Sequence, residues 1–120
     1  MADVATLRRL ALALPAAEEG TSYGTPCWRV RRSFFARLRE GGDSVVVKVD
    51  PAEGEILLAA EPDVFFVTPH YHGYPTLVLV RLAAIEEDEL AEVLAESWRR
   101  VAPAKLLRAY DVAHPPPGDA

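Results

Sequence analysis

Five arginines lie close together in one short segment, and their chemistry is the recognition of anions. Between Trp28 and the last of them the sequence contains no acidic residue. The five are Arg29, Arg31, Arg32, Arg37 and Arg39. Because a guanidinium can donate two parallel hydrogen bonds to phosphate oxygens, this segment predicts a surface that contacts a nucleic-acid backbone.

The arginines alternate with apolar residues, which predicts a β-hairpin. A three-residue loop, 32–34, keeps the apolar side chains on one face and places Arg29 opposite Arg37. Arg32 and Phe34 are then exposed at the tip, where they would enter a groove of DNA. Like charges opposite one another are unfavourable unless an anion or carboxylates relieve them. The alternative is that some of the chain's 18 acidic residues pair with this hairpin.

A second candidate is a loop that contains two histidines two positions apart. On a strand, His70 and His72 would share a face and could bind a metal ion, but a third ligand is not evident. We therefore expect no metal and no cofactor. The loop is interpreted as a rigid turn or as the lining of a recognition groove. The candidate side chains are His70, Tyr71, His72, Tyr74 and the nearby Arg81.

Catalytic motifs are scarce. Cys27 is the only cysteine and would need a base such as His70 to act as a nucleophile. Its position at a strand start beside Trp28 is typical of an inert, packed cysteine. The sequence has no phosphate-binding glycine loop, dinucleotide fingerprint or CxxC motif. We therefore expect a binding protein rather than an enzyme.

The composition is that of one globular domain, which we expect in the cytoplasm. The chain has 120 residues, of which 50% are hydrophobic and 26% charged. No stretch approaches the roughly 18 apolar residues of a membrane span. The start lacks a secretory signal, and a single cysteine suits a reducing compartment. Since the net charge is −5, DNA binding would require a local basic patch.

The elements that position these residues follow from periodicity and end signals. Asp50, Pro51 and Glu53 form the start of a helix, as a cap, a first-position proline and a capping-box acid. Helices are expected at about residues 3–14, 51–60, 87–102 and 104–110. Strands are expected at about residues 28–31, 35–39, 44–49, 64–68 and 76–82, and residues 16–26 are interpreted as a loop.

This order of helix, three strands, helix, two strands and helices predicts an α+β fold with one antiparallel sheet and helices on one face. The domain is expected in residues 1–111, followed by a flexible, proline-rich tail in residues 112–120. The sequence carries no signal of oligomeric state.

Taken together, these segments resemble the MmcQ/YjbR-like family over residues 3 to about 108. The matching segments are Leu14-Pro15 after a leucine-rich helix, Glu18-Glu19, and residues 24–30, 34–38, 46–50, 61–75, 78–82, 89–95 and 98–99. The resemblance implies a five-stranded antiparallel sheet with helices packed on it, similar to the fold of secretion chaperones.

Members of that family are usually described as DNA-binding, with a double-wing motif suggested from the fold. The resemblance thus implies double-stranded DNA as partner, with the Arg29–Arg39 hairpin as one wing and the His70–Tyr74 turn as a second recognition surface. Two alternatives stay open. One is a protein-binding adaptor that uses the sheet face or the His70–Tyr74 loop. The other is a small-ligand or metal-binding protein built around the histidine loop.

Overall fold

A computed structural model describes residues 1–114, which form four α-helices and one six-stranded sheet. The helices are α1 (Val4–Leu12), α2 (Pro51–Ala60), α3 (Glu87–Arg99) and α4 (Ala104–Ala113). The strands are β1 (Ala17–Ser22), β2 (Thr25–Val30), β3 (Ser33–Leu38), β4 (Ser44–Lys48), β5 (Phe65–Phe66) and β6 (Leu77–Arg81). Two 3-10 turns, Pro69–Tyr71 and Leu82–Ala84, lie on either side of β6.

The predicted α+β class and the antiparallel sheet are confirmed, but the sheet has six strands rather than five. All neighbours are antiparallel, in the order β1-β2-β3-β4-β6-β5. The additional strand, β1, lies in the segment interpreted as a loop. Because it is an edge strand with no buried side chain, its residues Glu18, Glu19 and Gly20 lack the apolar alternation that identifies a strand.

The turn of the β2–β3 hairpin contains two residues rather than the three that were predicted. Val30 pairs with Ser33, so that Arg31 and Arg32 form the turn. Arg31 has a φ of 57°, since tight hairpin turns require positive φ values. Phe34 consequently belongs to β3 and is half-buried, whereas the three-residue loop placed it exposed at the tip.

A β-bulge in β3 compensates for the shorter turn. Phe35 has no cross-strand partner, because the pairing shifts between the first and second halves of the hairpin. Arg29 therefore lies opposite Phe34, and Arg37 lies opposite Cys27. The predicted pairing of Arg29 with Arg37 is wrong, since the bulge separates the two like charges.

Helix α3 satisfies the backbone at this bulge. The buried Ser97 hydroxyl donates a hydrogen bond to the Phe35 carbonyl oxygen at 2.5 Å. The same Oγ accepts a hydrogen bond from the backbone N–H of Lys48 at 2.8 Å. One small side chain thus joins the bulge in β3 to the end of β4.

The sheet has one face covered by helices and one face that is mostly open. The main core lies between the sheet and α1, α2 and α3. Its largest contributors are Leu7, Trp28, Phe35, Val45, Val47, Phe65, Val78, Val80, Leu90, Leu94 and Trp98. On the other face, which we call the open face, Tyr71 packs on Val46 and Leu79 in a small second cluster.

The helix ends agree with the sequence signals, apart from the last. The Asp50 carboxylate accepts hydrogen bonds from the backbone N–H groups of Ala52 and Glu53, as predicted. Helix α4 extends past the expected domain end at residue 111, and Asp111 within it pairs with Arg99 at 2.6 Å. The remainder of the predicted tail, residues 115–120, lies outside the described residues. Within residues 1–114, no helix is long and apolar enough to cross a membrane.

Candidate nucleic-acid interface

Alternation along β2, β3 and β4 places cations on the open face. Successive side chains of a strand point to opposite faces, so Arg29 and Arg37 lie on the face opposite to the core residue Trp28. Lys48 lies on the same open face, with its Nζ 4.8 Å from the ring centroid of Phe34. The strands therefore carry a positive surface where no helix covers the sheet.

Arg37 is the centre of this surface. Its guanidinium carbon lies 5.7, 5.3 and 6.0 Å from the ring centroids of Tyr23, Phe34 and Tyr71. One guanidinium nitrogen donates a hydrogen bond to the Tyr71 hydroxyl oxygen at 2.7 Å. Within residues 1–114, Arg37 forms no ion pair with a carboxylate. The aromatic rings therefore position a half-buried cation that still has donors for an anion.

Phe34 connects the cations of the open face. It lies opposite Arg29 in the hairpin and beside both Arg37 and Lys48. Burial and the nearby positive charge of Arg100 lower the pKa of Lys48. We call the following set the arginine–aromatic cluster: Arg29, Phe34, Arg37, Lys48 and Tyr71.

The side chain of Arg29 lies against the edge strand β1 and contacts the backbone of that strand. Its guanidinium donates a hydrogen bond to the carbonyl oxygen of Thr21 at 3.4 Å. A Cβ at position 20 would lie only 3.0 Å from the Arg29 Nη1. Because Gly20 has no side chain, the guanidinium can occupy that space. Glu18 is the cross-strand partner of Arg29, yet the two form no ion pair within the described part of the chain.

A cleft of about 480 Å³ lies beside Arg37, between the hairpin and the 3-10 turn at Tyr71. Its lining includes Tyr23, Arg37, Arg39, Glu40, His70 and Tyr71. The two segments that the sequence singled out are therefore neighbours in space. Arg37 and Tyr71 join them although they are 34 positions apart in the chain.

The remaining hairpin arginines, Arg31 and Arg32, are exposed at the turn between β2 and β3. None of the five hairpin arginines forms an ion pair within residues 1–114. Neutralisation of the hairpin by carboxylates, the alternative considered above, is thus not seen in the described part of the protein.

The histidine loop differs from the strand assumed for a metal site. His70 belongs to the 3-10 turn, His72 ends it, and both side chains are exposed, whereas Tyr71 is buried. Across residues 1–114, no group of three or more His, Cys, Asp or Glu side chains could hold a metal ion. Tyr74 is exposed, with its ring centroid 6.3 Å from that of His70.

Arg81 and Cys27 lie outside the accessible site. Arg81 donates hydrogen bonds to the carbonyl oxygens of Pro62 and Asp63 at 3.1 and 3.3 Å, and its guanidinium carbon lies 4.0 Å from the Phe66 ring centroid. Arg81 therefore stabilises the loop before β5, and it does not line the cleft. Cys27 is fully buried, so a substrate cannot reach its sulfur in this conformation.

The negative net charge is concentrated on the helical side of the molecule. Helix α3 alone carries Glu87, Asp88, Glu89, Glu92 and Glu96. Burial, a hydrogen bond to the Glu61 side chain and the charges of Glu61 and Glu92 raise the pKa of Glu89 to about 7. Because five acids lie on α3 whereas none of the five hairpin arginines forms an ion pair within residues 1–114, a chain of net charge −5 still presents a positive open face.

Two residues of the site were not predicted from the sequence. Tyr23 lies in the two-residue turn between β1 and β2, and that strand pair was not anticipated. Lys48 alternates with the valines of β4, so its position on the open face could have been derived from the period of the strand.

The fold and the site define a small α+β domain with an open, cation-bearing sheet face. The chain belongs to the YjbR family, because the sequence model of that family matches residues 12–100. Two uncharacterized proteins, Rv2570 of Mycobacterium tuberculosis and Mb2600 of Mycobacterium bovis, are each 38% identical to this chain in an alignment 101 residues long. Each alignment covers 69% of this chain and 78% of the relative. The resemblance inferred from the sequence is thereby confirmed.

A solved structure has the same fold. The crystal structure of protein DR2400 of Deinococcus radiodurans, with the domain DUF419, aligns with a TM-score of 0.72 and 25% sequence identity. The alignment covers 94% of this chain and 88% of that one. The relatives thus support the family and the fold.

Proposed function

We propose that this protein binds DNA through phosphate contacts from the arginine–aromatic cluster and the β2–β3 hairpin. The observation that carries the proposal is Arg37, a half-buried guanidinium among three aromatic rings with no carboxylate partner within residues 1–114. A desolvated cation without an anion is costly. A phosphate therefore gains more free energy here than at a fully hydrated arginine.

The other arginines extend this contact surface. Arg39 lines the cleft together with Arg37, and Arg29 lies opposite Phe34 on the open face. Arg31 and Arg32 project from the hairpin turn, where they are available to an adjacent phosphate. Phe34 lies within β3 and contacts the cations Arg37 and Lys48. We therefore assign it this supporting role instead of the insertion into a DNA groove that the three-residue loop implied.

The test compares two double variants that remove the same charge from different places. Arg29→Ala with Arg37→Ala alters the cluster, whereas Lys105→Ala with Arg108→Ala removes two exposed cations of α4. DNA affinity is measured by fluorescence anisotropy between 50 and 200 mM salt, with duplex and single-stranded probes. In the cluster variant, log K is expected to fall less steeply with log salt. The slope should be smaller in magnitude by about 2, one unit for each lost phosphate contact.

The control should keep the wild-type slope, because its charges lie outside the proposed surface. Equal losses in both variants would indicate that only net charge matters. Absence of binding to either DNA form at 50 mM salt would refute the proposal, since phosphate contacts are strongest at low salt.

A small-ligand function is the second candidate, and the cleft beside His70 is the observation that favours it. Its volume of about 480 Å³ lies within the range of roughly 300–1,000 Å³ that is usual for small-molecule sites. A ligand of the native state raises the unfolding temperature. Thermal unfolding in the presence of anionic metabolites and divalent metals tests this candidate, which is favoured if a metabolite stabilises the protein and DNA does not bind.

A further inference from the structure

We infer that the preferred nucleic acid is single-stranded and that one of its bases stacks in the cleft beside Arg37. This inference rests on the proposed DNA-binding function and specifies its ligand. It is carried by the accessible rings of Tyr23 and His70 at the cleft, whose exposed faces a contact made with phosphates alone would leave unused.

Tyr23 is the first of these side chains. It is 92% exposed, which is unusual for a large ring, and it lies at the rim of the cleft. Tyr23 and Gly24 form the two-residue β1–β2 turn with φ values of 53° and 81°. Such turns favour Gly, Asn and Asp because both positions have positive φ. A tyrosine here costs backbone energy, and it holds an accessible ring 5.7 Å from the Arg37 guanidinium carbon.

The 3-10 turn supplies a second set of rings. His70 is exposed and lines the cleft, and its ring meets that of the buried Tyr71 edge-on, with centroids 4.8 Å apart. Tyr74 is 53% exposed beside it. The buried Tyr71 therefore anchors a rim of accessible rings, and its hydroxyl accepts the Arg37 hydrogen bond.

A duplex cannot use these rings, because its base faces are stacked on one another and only groove edges and phosphates are accessible. A single strand can turn its bases outward and stack them on aromatic rings and on guanidinium planes. In the cleft, a base would stack against Tyr23 or His70, and the adjoining phosphate would meet Arg37 and Arg39.

The experiment measures affinities by fluorescence anisotropy at 100 mM salt. The probes are a labelled 12-nucleotide DNA strand, an RNA strand of the same sequence and the DNA duplex. The proteins are the wild type, Tyr23→Ala and the ring-preserving control Tyr23→Phe. We expect at least one single strand to bind more tightly than the duplex. Tyr23→Ala should weaken that strand by about 5- to 150-fold, as for the loss of one stacked base, and should weaken the duplex clearly less, because the duplex loses only the support that the ring gives to Arg37.

A second readout locates the base directly. A strand carrying 5-iodouracil is irradiated with the protein, and the crosslinked peptide is identified by mass spectrometry. Crosslinking within residues 17–25 or 67–76 is expected, and crosslinking confined to other segments would overturn the inference. Circular dichroism checks that Tyr23→Ala is folded.

The outcomes separate this inference from the function on which it rests. If the duplex binds as tightly as either strand and Tyr23→Ala changes nothing, the inference is wrong while DNA binding stands. If no probe binds, both fail. If Tyr23→Phe loses as much affinity as Tyr23→Ala, the hydroxyl rather than the ring matters, and stacking is refuted.

Discussion

The two faces of the sheet are built from the same strands but have opposite chemistry. On the covered face, Trp28 is fully buried, and its Nε1 donates a hydrogen bond to Glu19 at 3.1 Å. On the open face, the next residue, Arg29, forms no ion pair within residues 1–114. The covered face satisfies its own polar groups, whereas the open face has hydrogen-bonding capacity that residues 1–114 do not use. That difference makes the open face the place to look for a ligand.

The largest expected effect comes from the covered face. Trp28→Ala should lower the free energy of unfolding by about 3–5 kcal/mol, since it creates a cavity in the core. Phe34→Ala, on the open face, should cost clearly less because Phe34 is only half-buried. Urea denaturation measures both. Equal losses would show that the open face is as tightly packed as the core, which would weaken its assignment as a binding surface.

The β-bulge at Phe35 offers a test of which contacts stabilise the covered face. Ser97→Ala removes the hydroxyl shared by the Phe35 carbonyl oxygen and the Lys48 N–H, leaving buried backbone groups unsatisfied. We expect a loss of about 1–3 kcal/mol in unfolding free energy. Ser33→Ala, at an exposed hairpin position, is the matched control and should change stability by less than about 0.5 kcal/mol. A neutral Ser97→Ala would mean that water replaces the hydroxyl.

Arg37 sharpens the comparison because it should matter for binding more than for stability. Arg37→Met keeps an unbranched side chain and removes the charge and the hydrogen bond to Tyr71. The stability loss should be about 1–2 kcal/mol or less, since Arg37 is half-buried and its cation–aromatic contacts lie between the exposed and the desolvated case. DNA affinity should fall, and the slope of log K against log salt should be smaller in magnitude by about 1. A stability loss as large as that of Trp28→Ala, measured by urea denaturation, would make Arg37 a structural residue.

The same contrast explains what the sequence could predict. Local signals were reliable on the covered side, where the Asp50 cap and the end of α1 near Pro15 follow from residues a few positions apart. The periodicity of apolar residues identified the core of α3 for the same reason, since burial against the sheet imposes it.

What the sequence did not predict depends on long-range contacts. The bulge at Phe35 requires Ser97, which lies 62 positions away. The edge strand β1 has no buried residue to mark it, and the Arg37–Tyr71 hydrogen bond joins segments whose proximity only the sheet order determines. The candidate site was therefore predicted as two separate segments, one of them as the lining of a recognition groove, and their meeting in one cleft was not predicted.

The smallest effect concerns the acids of the covered side. The pKa of Glu89 is raised from 4.5 to about 7 by burial, by its hydrogen bond to Glu61 and by neighbouring charges. Between these pH values the folded state binds more protons than the unfolded state, so stability falls as pH rises from 4.5 to 7. Glu89→Gln should remove this fall and raise stability at pH 8 by about 0.2–1 kcal/mol, given partial solvent screening. Glu55→Gln, at an exposed position, is the control.

Urea denaturation at pH 4, 6 and 8 measures this effect, and a wild-type pH profile retained in Glu89→Gln would contradict it. The two charged regions of the molecule differ in their ability to lose charge. A crowded carboxylate can relieve repulsion by taking up a proton near pH 7, as Glu89 does. Arginines cannot lose their charge in this way, because a guanidinium stays protonated at any pH near neutral. Arg37 keeps its charge and has no carboxylate partner within residues 1–114, so an anion can still pair with it, and that asymmetry is the physical reason to seek the ligand on the open face.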